Sequence, residues 1–580
     1  MKTTNNYKHN SFYPNTLSDQ SIIKKVLHKK SVTPAFLGIL MLFNLEAQAA
    51  PPDPATILPG AADAGVQMEQ AREAMERERI SEQIKEDEAT RKEQVQGITE
   101  QNSQLIEDDL TFDLKKIETD KSEVLSQEEI DTIVAPYIGK KVNINDLYKI
   151  IDIINDTYVQ KEYMTCHAFL PPQTIHDGTV MIKLVEGRTG NVIVEGNKST
   201  KTGYITSWFP LKKGEIANTG KLNRSLQRFN GTNDVALRIK MQAGQEPDTT
   251  DYVLYAFEPK KHSFTLYTDN NGYESSGRFR YGFFYNWRSV TGRRDGFRLS
   301  YMRSSGSNSY SLGYTSPIGS SGLKLDLDYT GNKNEVTNGD LRSLSIEGNA
   351  TAYSVGLRYP FVVTSSQRIE MGLSYLRQKS KTTLGHGEIT WMDDKLTRYN
   401  LYLAFTNYGE KSVFYHRYGI LRSNKSAMYG NSENVNLYQI NMYWRKELTQ
   451  KHSLVARFSG QFGGKEYMST ANRFYIGGMN TVRGYEESFI SGDKGFALGL
   501  EYHFPMLENN LHGFTFMDYG RVNGGYAISG ENTLMSTGVG VIWENNDFNA
   551  SLLLGVPLKR DVGGKETDSV RVQLSLFKTF

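Results

Sequence analysis

The string NTVRGYEES, Asn480 to Ser488, sets Arg483 between Val482 and the pair Gly484, Tyr485. A guanidinium is a planar fork that makes two charge-assisted hydrogen bonds to one carboxylate. Glycine at 484 lets the backbone fold into a tight tip, so that a loop can carry the arginine into an interior space. The carboxylate best suited to receive it is Asp518 in GFTFMDYGR, which also holds Phe516 and Gly520. On spacing alone an ordinary interior or surface arginine explains the string as well. Covalent and metal chemistry find no such starting point: the ten histidines include no HExxH pair, and GxSxG and Walker-type phosphate loops are missing. The single Cys166 has no partner for an internal disulfide. His167 is adjacent to it, and on a strand adjacent side chains point to opposite faces, so Cys166 reads as an inert core residue. No catalytic residue, metal or cofactor is expected.

Composition sets bounds on partners. The 67 basic residues almost balance the 65 acidic ones, which argues against a nucleic-acid partner. Lys24, Lys25, Lys29 and Lys30 precede the apolar run AFLGILMLF, and AQA at Ala47 to Ala49 offers small residues for cleavage, as in a secretory signal over residues 1–49. That run falls short of the roughly 18 residues a spanning helix needs, so the mature chain stays outside the cytoplasm or crosses a membrane as strands. The proline-rich PPDPATILPG places a linker over 50–65.

Residues 66–96 are dense in Glu, Arg, Lys and Gln, with Met68, Ala71, Met75, Ile80 and Ile84 as a weak apolar track. Such a segment favours helix by propensity yet has little apolar face to bury. It suits either a solvated spacer or a helix in a water-filled polar space. From Leu110 a compact α/β pattern begins: a capping box of Ser126 with Glu129, a buried helical stripe of Leu147, Ile150, Ile151, Ile154 and Tyr158, then strands around YMTCHAFL and GTVMIKLVEG. The order strand, helix, helix, strand, strand then recurs from NVIVEGN to DYVLYAFEP. Two modules are expected, at 108–187 and 188–259.

Over 262–580 the chain changes to period-two alternation. In LKLDLDY, Leu323, Leu325, Leu327 and Tyr329 oppose Lys324, Asp326 and Asp328. IEMGLSY, YNLYLAF, SLVARFSGQF, LGLEYHF and VRVQLSLFKTF repeat the pattern, the last ending on Phe580. A soluble sandwich also alternates. The number of such strands, their glycine-rich turns and the aromatics near their ends favour a transmembrane barrel, and about ten residues per crossing plus connections predicts roughly sixteen strands. A charge facing lipid near the midplane costs roughly 2–4 kcal/mol, which turns Asp518 to the lumen together with Phe514 and Phe516, and Thr515, Met517 and Tyr519 to the lipid.

VRGY followed by FMDYG resembles the paired signatures of the outer-membrane insertase and transporter superfamily, in which the arginine of a lumen-inserted loop meets an aspartate on the barrel wall. LPPQTIHDGTVMIKLVEGRTGNVIVEGN, DNNGYESSGRFRYG and YTSPIG resemble the B-type (TpsB) transporters of two-partner secretion, the haemolysin-activator and CdiB-like group. The resemblance implies α+β periplasmic modules, two polypeptide-transport-associated (POTRA) domains, followed by an all-β sixteen-stranded transmembrane barrel plugged by an N-terminal helix, the helix and its linker together spanning 66–105. It implies Pro172, Gln173, Asp177, Gly178, Glu186 and Gly187 as the POTRA motif, Val482, Arg483, Gly484, Tyr485, Phe516, Asp518 and Gly520 as the loop and wall contact, and Phe580 as a C-terminal assembly signal. The implied location is the bacterial outer membrane, with plug and POTRA domains facing the periplasm at rest. The implied partners are a large secreted TpsA-type protein (haemolysin, adhesin or contact-dependent toxin), outer-membrane lipids and the barrel assembly machinery. The implied function is export of an unfolded partner through the barrel without ATP. An insertase of other barrels or a porin or receptor are the alternatives; an insertase predicts more than two POTRA modules, and a porin leaves them unexplained. The stretch TGRRDGFRLS, read as a strand, departs from the glycine-rich turn usual in that group.

Overall fold

The computed structural model describes residues 62–90, 110–427, 432–449, 451–506, 510–525, 531–545 and 547–580. The expected signal segment 1–49, most of the linker and residues 91–105 of the expected plug segment lie outside them. The first described helix, α1, is Ala64–Thr90. No described helix is long and apolar enough to cross a membrane.

Two α/β modules follow, built alike. In the first, the strand Thr179–Glu186 lies between Lys116–Thr119, parallel to it, and Cys166–Phe169, antiparallel to it. The helices Gln127–Val134 and Ile144–Gln160 cover one face, both opened by capping boxes, Ser126 with Glu129 and Asn143 with Asp146. The stripe Leu147, Ile150, Ile151, Ile154 and Tyr158 is buried against Val180, Ile182 and Leu184. The second module repeats the topology: Thr249–Phe257 lies between the parallel Arg188–Glu195 and the antiparallel Ala236–Ala243, covered by Thr202–Thr206 and Thr219–Asn230. Its core gathers Leu222, Leu226, Phe229, Leu237 and Tyr252. Cys166 is buried and His167 exposed. Burial first, and then the nearby Glu186 carboxylate, push the thiol up to about 12, so it stays protonated and unreactive.

From His262 onward sixteen antiparallel strands close a barrel, the final strand Arg571–Thr579 pairing with the first, His262–Asp269. Closure pairs the backbone of each strand on both sides, the condition for crossing a bilayer without helices. The side that meets the second module is fixed by the barrel's short turns. Arg228 donates to the Ser321 and Pro360 carbonyls and to the Tyr359 hydroxyl, and the Lys201 amide donates to the Gly292 carbonyl at 2.9 Å. TGRRDGFRLS therefore divides: residues 289–295 form a turn, and the strand begins only at Gly296. The turn residue Arg294 has φ +60° and forks onto Asp234 of the second module, with Nε 2.7 Å from Oδ1, and its side chain is buried there. The charge of that arginine serves the joint, which a strand position would have directed across the wall instead.

Three strands that reach the joint side of the barrel run long. Glu347–Val363, Gln367–Leu384 and Ile389–Tyr408 have 17, 18 and 20 residues, against the roughly 9–11 a tilted strand needs to cross. Their excess projects beyond the bilayer on the side away from the modules.

Candidate functional site: the lumen

The segment between the strands Ser453–Gly463 and Lys494–Pro505 turns inward instead of standing clear of the barrel. It is braced by a small hairpin, Phe474–Ile476 with Ile490–Gly492. Asp493 holds its base by accepting from the amides of Tyr467, Met468 and Gly525 at 2.8–2.9 Å. Its apolar side, Ile476, Val482, Tyr485 and Phe489, packs on Ala497, Val522 and Leu534 of the wall. Gly520 makes room for this: a Cβ there would stand 2.8 Å from Val482 Cγ2 and 3.0 Å from Ile476 Cδ1. Gly484, at φ +86°, lies against the backbone of Gly555, whose own Cβ would be 2.7 Å from Gly484 Cα. The Tyr485 hydroxyl sits between the Met535 and Lys559 carbonyls at 2.9 and 2.8 Å.

Arg483 is at the tip. Its Nε and Nη2 donate to Asp518 Oδ2 and Oδ1, each at 2.7 Å, and its backbone amide donates to Oδ2 at 3.0 Å. The guanidinium carbon lies 3.8 Å from the centre of the Phe516 ring, a cation–π contact strengthened by exclusion of water. Arg483 is 2% exposed and Asp518 fully buried. Asp518, Phe514 and Phe516 face inward and Met517 outward, where it is 46% exposed. A third group completes the pair: Arg483 Nη1 donates to Glu501 Oε1 at 2.5 Å, and Glu501 also takes Arg457 at 2.5 Å and His503 Nε2 at 2.8 Å. Two guanidinium and two carboxylate groups thus balance in one cluster, Arg483, Asp518 and Glu501 buried and Arg457 40% exposed at its margin, the arrangement that makes charge burial tolerable. Glu501 and His503 were not singled out from the sequence, although the alternation of LGLEYHF already turns them to the polar face opposite Leu500 and Tyr502.

Helix α1 runs through the same lumen, about 40 Å long by its helical rise. Its apolar residues are few, and its acidic ones meet arginines of the wall. Glu69 pairs with Arg398 at 2.8 Å, Glu76 with Arg417 at 3.2 Å and Glu88 with Arg445 at 2.7 Å. Near its N-terminus Asp63 accepts from Thr470 Oγ1 of the inserted segment at 2.7 Å, and Gln70 donates to Ser488 Oγ at 2.5 Å. Near its C-terminus Asp87 accepts from the Tyr408 hydroxyl at 2.5 Å and lies 3.8 Å from Arg368. Arg368 also donates to the Gly231 carbonyl of the second module and pairs with Glu370 at 2.8 Å, so plug, wall and module meet on one side chain.

The residues predicted in the first module do not join this site. The Gln173 side chain bonds both backbone groups of Met181 at 2.7 Å, acting as a short extra strand. Asp177 and Gly178, at φ +55° and +71°, make the turn into the strand Thr179–Glu186, where a Cβ at 178 would meet the Asp113 carbonyl oxygen. Glu186 accepts from the Ser122 hydroxyl, the Glu123 amide at 2.8 Å and the Tyr158 hydroxyl at 3.0 Å. Gly187 passes close to the Thr165 carbonyl, and Pro172 is exposed. Phe580 is 58% exposed at the module side of the barrel, its amide donating to the Phe264 carbonyl at 2.9 Å. Among the described residues no group of His, Cys, Asp and Glu could hold a metal ion.

Residues 249–542, just over half of the chain, match the family model of the haemolysin secretion/activation protein ShlB/FhaC/HecB, and residues 112–187 match the POTRA domain, ShlB-type. The chain is similar to the heme/hemopexin transporter protein HuxB of Haemophilus influenzae, 23% identical over 515 residues that cover 81% of this chain and 88% of the relative. It is similar to the outer membrane transporter CdiB of Escherichia coli, 20% identical over 75% of this chain and 77% of that protein. The solved structure of CdiB from Escherichia coli shares the fold with a TM-score of 0.67 at 17% identity, covering 91% of this chain and all of that one.

Proposed function

This chain belongs to the haemolysin secretion/activation family ShlB/FhaC/HecB, and from that premise we propose that it exports one large secreted protein, or a narrow set, and rests in a closed state held by α1. It is an outer-membrane transporter: a sixteen-stranded barrel with periplasmic POTRA domains that passes an unfolded TpsA-type partner without ATP. The observation that carries the closed-state reading is the polar helix α1 inside the lumen, ion-paired to the wall along its length. A helix with so little apolar surface is held chiefly by polar contacts of this kind.

The chain's work is transport, with no chemical conversion of the cargo. The two POTRA modules recognise the unfolded partner by strand addition at sheet edges or by their helix–strand grooves. Folding of the partner outside makes passage one-way, because a folded β-rich chain does not re-enter a lumen sized for extended chain. Arg483 and Asp518, seated by Val482, Gly484, Tyr485, Phe516 and Gly520, hold the inserted segment and keep the barrel transport-competent. Pro172, Gln173, Asp177, Gly178, Glu186 and Gly187 shape the first module, and Phe580 serves the assembly machinery that places the barrel among outer-membrane lipids. The corresponding division is a signal at 1–49, a linker at 50–65, the plug and its tether at 66–105, POTRA domains at 108–187 and 188–259, and the barrel at 262–580. The partner is a haemolysin, an adhesin or a contact-dependent toxin; nucleic acid has no part in the process.

The test is secretion in a host lacking such systems, with this chain and the large exported protein encoded beside it. Partner in the medium with the native chain, and partner held in the periplasm with Arg483→Ala despite an inserted barrel, is the expected result. Partner retained in the periplasm with both chains, each correctly inserted by heat-dependent gel mobility, would overturn the reading in favour of an insertase or porin.

A further inference from the structure

The lumenal cations are largely matched by carboxylates: Arg358 by Asp326 at 2.6 Å, Lys425 by Asp394 at 2.7 Å, and the arginines that meet α1. One outward patch breaks this rule. Along the strand Gln367–Leu384 the lumen-facing residues Arg368, Glu370, Leu376 and Gln378 are buried. The outward residues between them run Met371, Leu373 and Tyr375, and then change to Arg377, Lys379 and Lys381. On the neighbouring strand Lys395 stands directly opposite Lys379. All four cations are exposed, and among the described residues none of them forms an ion pair or a side-chain hydrogen bond. Asp393, opposite Lys381, is the one carboxylate in register with them on this face. Like charges set opposite one another across a ladder are destabilising, so Lys379 and Lys395 weaken the sheet unless an anion lies between them.

The level of the patch says which anion. It lies on the strand extensions away from the POTRA joint, hence on the outer side of the membrane. Directly below it Tyr353, Tyr375 and Tyr399 form a ladder on the outward face, with ring centres 6.4 and 5.4 Å apart. Tyr353 is paired with Arg377 and Tyr375 with Tyr399. Outward aromatic rows of this kind mark the headgroup level of a barrel. Alternate residues on a strand are about 7 Å apart, so the cations form a grid wide enough for more than one phosphate, continuous with the apolar face beneath. A surface shaped only for solubility mixes both signs, whereas here four cations meet Asp393 and, at the margin beside Lys381, Glu347, which is turned to His386.

We infer that Arg377, Lys379, Lys381 and Lys395 form a binding site for the phosphorylated headgroup of an outer-leaflet lipid. The phosphates lie over the Lys379 and Lys395 ammonium groups and the Arg377 fork, and the acyl chains descend along the tyrosine ladder and Leu373. The bound lipid screens the Lys379–Lys395 repulsion and tethers the long strands to the membrane on the outer side.

The experiment uses the full chain, purified in detergent, stripped of lipid and mixed with either bisphosphorylated lipid A or the same lipid with its phosphates removed, bound lipid being counted by native mass spectrometry. The native chain should retain the phosphorylated lipid and lose about ten-fold in retention when the phosphates are removed. Lys379→Gln with Lys395→Gln should produce a loss of about the same size, while Lys446→Gln, an exposed outward lysine at the periplasmic end, should behave as the native chain. Equal retention of the two lipids by the native chain overturns the proposal, and that comparison stands even if a variant fails to insert. Retention unchanged in a correctly folded double variant overturns it too. Inorganic phosphate at the same concentration should leave thermal stability unchanged; stabilisation equal to that from the lipid would assign the site to a soluble anion and reject the lipid.

Discussion

Arg483 shows what a buried arginine requires. Its five donors face Asp518, Glu501 and a ring, and its removal leaves two buried carboxylates with only Arg457 and His503 beside Glu501. Breaking a buried pair from one side costs about 3–5 kcal/mol. Arg483→Ala should therefore leave the barrel inserted but lower its unfolding temperature and cut export, as read by gel mobility and by partner in the medium. Reversal of charge at Asp518 should do the same; failure of either variant to insert would recast the pair as an assembly element. Gly555→Ala probes the contact without touching a charge: its Cβ would press on Gly484 at 2.7 Å. Overpacking of this kind costs roughly 1–3 kcal/mol, so protease should reach the inserted segment faster in that variant. The Arg483–Asp518 contact was legible because a fork beside a hinge glycine and a lone acid on an otherwise apolar strand are uncommon types in those settings. Glu501 was not, because many barrel strands carry inward acids and only the loop path selects one.

For helix α1 the interaction is distributed over a row of ion pairs that act together. The paired side chains are largely buried, between 7% and 30% exposed, so removing the carboxylate leaves an arginine without its partner in the lumen. Replacing Glu69, Glu76 and Glu88 by Gln should accordingly raise open-channel occupancy about ten-fold in planar bilayers, and high salt should raise it in the native chain. Unchanged conductance in the triple variant would show that the row does not hold the plug. At the joint of the second POTRA domain, Glu258 accepts from the amides and hydroxyls of Ser199 and Thr200. Burial alone would raise its carboxyl, but those hydrogen bonds outweigh burial and hold it below the usual range. A depressed carboxyl contributes stability that is present above its unfolded value of about 4.3 and is lost as pH falls through the lower folded value. Protection of the Ser199 and Thr200 amides, measured against their intrinsic exchange rates, should therefore be lost only in acid, and Glu258→Gln should remove that dependence.

Over the whole chain, division of labour follows from where polar backbone finds its partners. The barrel satisfies its own by closure, while each POTRA sheet ends in edge strands, Cys166–Phe169 in the first and Ala236–Ala243 in the second, which remain available for another chain. Deleting residues 110–257 should leave an inserted barrel that exports nothing, with heat-modifiable mobility retained; export by that barrel would show that the modules are dispensable. The separation of periods was readable beforehand: the stripe from Leu147 to Tyr158 has helical spacing and LKLDLDY has strand spacing, and neither has a rival reading of comparable length. The repeat of strand, helix, helix, strand, strand was readable for the same reason. The division of TGRRDGFRLS was not, since Arg294 gains its reason for leaving the strand from Asp234, which is 60 residues away in sequence.

Local order in this chain, including sixteen alternating strands, two repeated modules and a helix too polar to pack in an ordinary core, follows from side-chain periodicity, which each segment carries within itself. The identity of a residue's partner does not. Glu501 beside Arg483, Arg398, Arg417 and Arg445 along α1, and Arg368 between plug and module arise from closure of the barrel around its contents, while Lys395 opposite Lys379 arises from the register of one hairpin. Closure sets register and brings distant strands together, and Coulomb interactions depend on those distances in space, which separation along the chain does not specify.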